Sequence, residues 1–270
     1  MSASRRRSRR QPSRRQPSRR QPSLVARLRV FWVFIAVGLV GAAYGGWFLA
    51  NRPEFEPATI GVEGNVKVSS AEIRERAAIP ADRNVWLLDK SATQQRVEAI
   101  PRVRTARVHR TFPNGVTIEI SERVPAGCAE GFAGRFLVDE TGRVLERGCP
   151  PATVPTFALG ERLAAAAPGE DLPEAGLVRR LAADARLLAA DRLAVVRLGV
   201  DRFDSLEVTL RGGPVVRFGD DRTLAAKAGL VDPILRTYGN RARDLAVIDL
   251  RVPSTPVVQD RRRSAVGPKG

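Results

Sequence analysis

From Val30 to Ala50 the chain reads VFWVFIAVGLVGAAYGGWFLA, without one charged residue. About 20 apolar residues in a helix span the hydrocarbon core of a bilayer. A buried core helix of this length normally keeps a polar face. A cleaved signal peptide has a shorter apolar region of roughly 7–15 residues and a small-residue cleavage site. Here the run is longer and ends in Trp47-Phe48-Leu49, an aromatic end suited to the membrane interface. The expectation is a retained transmembrane helix over 30–50. The 29 residues before it hold eleven Arg and no acid, whereas Arg52 is soon followed by Glu54 and Glu56. That asymmetry puts the N-terminus in the cytoplasm and everything after Asn51 across the membrane.

The net charge of +16 suggests a nucleic-acid binder until the charges are located. Residues 1–29 carry +11 and residues 260–270 carry +3, which leaves only +2 for the body of the chain. A folded nucleic-acid surface carries its own basic face, so no nucleic acid is expected as partner. The arm 1–29 repeats Arg-Arg-Gln-Pro-Ser three times, at Arg9–Ser13, Arg14–Ser18 and Arg19–Ser23. Like-charge repulsion and proline mark it as disordered. Its natural contact is the anionic lipid headgroups beside the anchor, at about 1 kcal/mol per Arg near the surface.

After a linker over 51–57, Ile60 and Val62 alternate as in a half-buried strand that Gly64-Asn65 ends. Ser69 and Glu72 stand at capping-box spacing ahead of a helix. Asn84–Asp89 is a loop-like apolar run, and a second helix begins near Ser91 and stops at Pro101. Two strands follow, with Ala106 and Val108 inward in the first and unbroken alternation from Val116 to Ser121 in the second. Between them Pro113-Asn114-Gly115 supplies the Asn-Gly pair favoured in two-residue hairpin turns. The order is strand, helix, helix, strand, strand.

Ile60-Gly61-Val62-Glu63-Gly64-Asn65, Asn84–Asp89 and Ile100-Pro101-Arg102-Val103 are similar to segments of the POTRA domain of the FtsQ/DivIB cell-division family. So are Ala106–Pro113, which includes Arg110, and Glu122-Arg123-Val124-Pro125. Outer-membrane assembly proteins also carry POTRA domains, but they end in a β-barrel whose many alternating strands are absent from this sequence. The resemblance implies an α+β protein with an N-terminal transmembrane helix, a βααββ POTRA domain over 58–125, and a second mixed β-sheet domain with helices over 126–258. A basic disordered tail, 259–270, would follow.

Several segments of the remainder resemble that second domain: Phe136-Leu137-Val138-Asp139 with Gly142 and Val144-Leu145, then Val154–Phe157. Where the family often places a Trp, Gly127-Cys128-Ala129 follows Ala126. A helix of about 17 residues is predicted from Pro173, with Leu177, Leu181, Ala185 and Leu188 on one face. Leu206–Leu210 and Val215–Gly219 flank Gly212-Gly213 as a second hairpin, and another helix is predicted over about Asp221–Tyr238. Ala246–Val252 reads as the closing strand, with Ile248, Leu250 and Val252 inward and Asp249 and Arg251 outward. Pro253 and Pro256 lack N–H donors, so no further strand is expected and the edge stays open. The resemblance places an FtsB-binding strand here, with Arg251, Val252 and Ser254 at the contact and Val257-Val258 extending it.

Catalytic signals are sparse. The only histidine, His109, falls on the outward face of a predicted strand. Cys128 and Cys149 stand 21 apart on the outer side of the membrane, where disulfides persist; the sequence leaves open whether they are bonded. A sortase-like transpeptidase would pair His109 with one of them, but neither sits in the Thr-Leu-x-Thr-Cys setting of that family. No phosphate cradle or His-Glu-x-x-His motif occurs, so no cofactor or metal is expected. The resemblance implies a non-enzymatic bitopic scaffold of the inner membrane, enriched at the septum. It would link early and late division proteins and bind FtsB and FtsL in support of septal wall synthesis. The alternative is a membrane-tethered chaperone or translocation module built on the same POTRA fold.

Overall fold

The computed structural model describes residues 24–50, 52–150, 154–220 and 222–261. The Arg-Arg-Gln-Pro-Ser repeats and residues 262–270 lie outside the described residues. So does Asp221, where the sequence reading began its last helix.

Two units result, residues 1–52 and 53–270. In the first, helix α1 (Leu24–Ala50) begins six residues before the expected anchor, so Arg27 and Arg29 are helical and not part of a disordered arm. Its most apolar stretch, Phe31–Phe48, has a mean hydropathy of 1.7, and α1 is long and apolar enough to cross a membrane.

The second unit holds two sheets, each with its own core. The small sheet joins β1 (Thr59–Glu63), β2 (Val103–Thr111) and β3 (Gly115–Glu122) in the order β1-β3-β2. Helices α2 (Ser70–Ala77) and α3 (Lys90–Glu98) lie between β1 and β2 in sequence and carry the chain over one face. The Ser69 hydroxyl accepts the Glu72 N–H and the Asp89 carboxylate the Ala92 N–H, so each helix starts on a side-chain cap. Ile73, Ala77 and Val97 then meet the alternating inward residues Ala106, Val108, Val116, Ile118 and Ile120 in one buried cluster.

The β2–β3 turn corrects the sequence reading. Thr111 pairs with Gly115, leaving Phe112-Pro113-Asn114 as a three-residue loop with a cis Phe112–Pro113 bond. Neither Asn114 nor Gly115 has positive φ, so this is not the two-residue Asn-Gly turn.

The long sheet has nine strands: β4 (Pro125–Gly131), β5 (Gly134–Asp139), β6 (Val144–Arg147), β7 (Thr156–Gly160), β8 (Val195–Val200), β9 (Leu206–Leu210), β10 (Val215–Gly219), β11 (Leu245–Asp249) and β12 (Val257–Asp260). Their order is β12-β11-β10-β9-β8-β7-β4-β5-β6. The parallel pairs β7–β8 and β10–β11 need crossovers, which α4 (Ala175–Ala190) and α5 (Leu224–Tyr238) supply. The helices bury Leu181, Leu188, Leu224 and Val231 with Phe157, Leu198, Val208, Phe218 and Ile248 of the sheet. On α4 the buried stripe is Val178, Leu181, Ala182 and Leu188, with the expected Leu177 and Ala185 only half-buried at its margins.

At the end of the chain the sequence reading fails in a way that matters. β11 stops at Asp249, so Val252 is exposed and is not an inward residue of that strand. A further strand does follow: β12 pairs antiparallel with β11, Ile248 opposite Val258 and Asp249 opposite Val257. Pro253 and Pro256 fall in the turn between the two strands, where a missing N–H costs nothing. The edge that was expected on β11 is thus covered, and the last described edge belongs to β12.

Candidate functional site

The residues that carry the family resemblance in the small sheet act as fasteners. Gly64 ends β1 with φ +81°, and Asn65 donates its side-chain amide to the Val68 carbonyl at 3.0 Å. This turns the N–H groups of Val66, Lys67 and Val68 toward one carboxylate, that of Glu122, at 2.7–3.0 Å. Partial burial raises the Glu122 carboxyl, but the three N–H groups and the charge of Arg102 outweigh it and hold it below the usual carboxylate range. Arg110 donates to the Leu88 carbonyl, Pro113 accepts from the Trp86 indole at 3.0 Å, and Asn114 accepts from the Ala58 N–H at 3.3 Å. Gly115 is the first residue of β3, paired with both Thr111 and Thr59.

Arg123 fastens the two sheets to each other. Its Nε donates to the Val103 carbonyl at 3.1 Å and its Nη1 to Asp139 of β5 at 2.7 Å. Asp139 is buried and also accepts from the Thr141 hydroxyl and from the N–H groups of Thr141 and Arg143. Burial raises its carboxyl, but these bonds together prevail and hold it below the ordinary value. Arg102–Glu146 at 2.6 Å and Arg104–Glu140 at 2.6 Å lie at the same junction. The sequence reading had Arg123 and Asp139 in separate family-like segments but not their pairing, because no local pattern links two residues that meet only across two sheets.

A depressed carboxyl gives stability that is fully present above the unfolded value, about 4 for Asp, and is lost as pH falls through the lower folded value. Asp139→Asn is therefore expected to cost about 1–3 kcal/mol at pH 7. The gap between parent and variant should narrow below about pH 4. Urea unfolding of the detergent-solubilised chains at both pH values checks this; a gap independent of pH contradicts it.

Cys128 and Cys149 are joined by a disulfide with Cα atoms 5.9 Å apart. It closes a 21-residue loop around the β5–β6 hairpin, worth about 3 kcal/mol in the chain-entropy description. The bond also leaves the transpeptidase reading without a thiolate. His109 lies exposed on β2 with Glu119 3.3 Å away on β3. Among the described residues no cluster of three or more His, Cys, Asp or Glu is placed to hold a metal.

The arrangement thus offers surfaces. Of the residues expected at a partner strand, Ile248 and Leu250 are buried core, and Arg251 grips Asp249 through Nε and Nη2 at 2.6–3.0 Å. That grip holds the Asp249 carboxyl below its ordinary range despite burial. Val252 and Ser254 sit exposed in the turn before β12. Val257 and Val258 are on β12 itself, exposed and half-buried, at the end of the nine-stranded sheet.

A βααββ unit fastened to a longer mixed sheet, behind a helix of membrane-spanning length, defines a POTRA-domain protein. Residues 55–123 match the family described as POTRA domain, FtsQ-type. Over 232 residues the chain is 28% identical to the Cell division protein FtsQ of Streptomyces bingchenggensis, covering 83% of each protein. Over 212 residues it is 26% identical to that of Corynebacterium glutamicum, covering 77% of this chain and 89% of the other. A match to the Cell division protein FtsQ of Myxococcus fulvus is 32% identical over 126 residues, 46% of this chain and less than half, 44%, of that protein. Residues 55–123 thus match a POTRA domain of FtsQ type, and the chain is similar along most of its length to cell division proteins FtsQ.

Proposed function

We propose that the chain is a non-catalytic scaffold of the division machinery, held in the cell membrane by α1 with both sheets on the outer side. There it binds FtsB and FtsL and gathers at the septum, linking early and late components of septal wall synthesis. The observation that carries this reading is the end of the long sheet. β12 is paired with β11 on one side and with no described strand on the other, and it presents the apolar Val257 to solvent. An open edge offers backbone N–H and C=O groups to a partner strand. The eleven Arg before Val30 support the orientation, and their attraction to anionic headgroups supports the seating of the basic arm.

The test is a fluorescent fusion of the full chain in dividing cells, combined with co-purification of FtsB and FtsL. Midcell enrichment with both partners recovered is expected. A uniform distribution around the envelope without them favours the tethered chaperone or translocation module instead.

A further inference from the structure

The turn between α2 and α3 and the β2–β3 loop meet at one tip of the small sheet. Trp86 (42% exposed), Leu87 (70%) and Phe112 (74%) stand there side by side. The Phe112 ring lies 6.5 Å from that of Trp86 and 6.4 Å from that of Phe55. We propose that this aromatic tip docks into the interface of the bilayer that α1 spans, on the side where α1 ends at Ala50.

Three observations select a lipid surface as the occupant. The first is the tether. Phe55 follows the last helical residue by five positions, so an extended chain allows at most about 18 Å between them. A patch that must stay this close to a membrane surface meets lipid before it meets anything else. The second is chemistry: Trp with Phe and Leu is the composition of interfacial aromatic belts.

The third observation concerns polar groups, which decide whether a loop can leave water. The Trp86 indole N–H already donates to the Pro113 carbonyl at 3.0 Å. The backbone N–H of Trp86 goes to Asn84 Oδ1 at 2.8 Å, that of Leu87 to the Asn84 carbonyl at 3.0 Å, and that of Leu88 to the Val85 carbonyl at 3.2 Å. Arg110 donates to the Leu88 carbonyl. The indole N–H and the backbone N–H groups of Trp86, Leu87 and Leu88 are thus satisfied within the protein, which lowers the cost of moving this turn into an apolar phase. The surrounding charges are mixed, with exposed Arg83 and Lys90 set against Asp82 and Glu56. Docking is therefore driven by apolar area and is insensitive to salt and to the anionic lipid content.

Trp86 is its own probe, since Trp32 and Trp47, the other two tryptophans, both lie in α1. The proposal rests on α1 spanning the bilayer, and the experiment separates the two. The full chain is reconstituted in phosphatidylcholine vesicles whose acyl chains are brominated near the headgroups. In W86F, quenching of Trp32 and Trp47 reports that the anchor is seated; unquenched emission overturns the anchor reading and the docking with it. In W32F/W47F the remaining Trp86 is expected to be blue-shifted and quenched by the brominated lipid, at least about twofold more than after adding L87E/F112E. Its exposure to aqueous acrylamide should fall correspondingly. Emission open to acrylamide and indifferent to bromine, with the anchor quenched, overturns the docking and assigns the patch to a protein partner.

Discussion

Replacing Gly64 by valine is expected to destabilise the second unit by about 3–5 kcal/mol, combining a left-handed β-branched residue with overpacking. Two effects act together. At φ +81° the backbone is in the region that glycine tolerates and a β-branched side chain does not. In addition, a Cβ built at Gly64 would stand 2.1 Å from the Ile120 carbonyl oxygen. That oxygen cannot retreat: Ile120 is in β3, the central strand, and pairs with Ala106 of β2. The bend at Gly64 also delivers three N–H groups to Glu122, so the clash disturbs that cradle as well. Gly148 is the control. Its φ is +80°, but nothing lies within 4 Å of a Cβ there, so Gly148→Ala should cost only about 1 kcal/mol from backbone strain. Thermal melts of both variants check this. Equal losses at the two sites would mean that the close approach to Ile120 contributes nothing.

How far such features were legible in the sequence depends on whether the signal is local. The Ser69 cap, the β2 and β3 alternation and the strand end at Gly64 are set within a few residues, and each was read correctly. The Asn114-Gly115 turn was misread because the pairing of Thr111 with Gly115 leaves three residues between the strands, not two. β4 was not read as a strand. Gly127-Cys128-Ala129 has little intrinsic β-propensity, and the segment is extended because β5 and β7 flank it on both sides. A Cβ at Gly127 would lie 2.2 Å from the Phe157 ring, so what looked like weakness is a fit to a neighbour 30 residues away. The Trp86–Phe112 tip was invisible for the same reason. Its parts belong to two loops, and only the fold joins them.

β12 is the most instructive miss. Two prolines within four residues read as the end of strand structure, yet the apolar pair Val257-Val258 was in plain view beyond them. The correction moves the expected partner strand from β11 to β12, and it changes the variant that should matter. Along a strand that has a partner on one side only, successive N–H groups alternate between the partner and the open side. Val258 and Gln259 are neighbours on β12, so one of the two N–H groups faces β11 and the other faces outward. Proline removes the N–H and little else. Of Val258→Pro and Gln259→Pro, one should therefore weaken the β11–β12 ladder and lower the melting temperature. The other should leave the melt near that of the parent and still reduce FtsB binding at least about 10-fold, or 1.4 kcal/mol. Val257→Ala, which truncates an exposed side chain but keeps the backbone, should cost less, because main-chain hydrogen bonds carry most of the affinity in strand addition. Titration of FtsB against the three purified full-length variants measures this. If both proline variants bind at parental affinity while the fold is intact, no strand adds to β12 and the partner docks elsewhere.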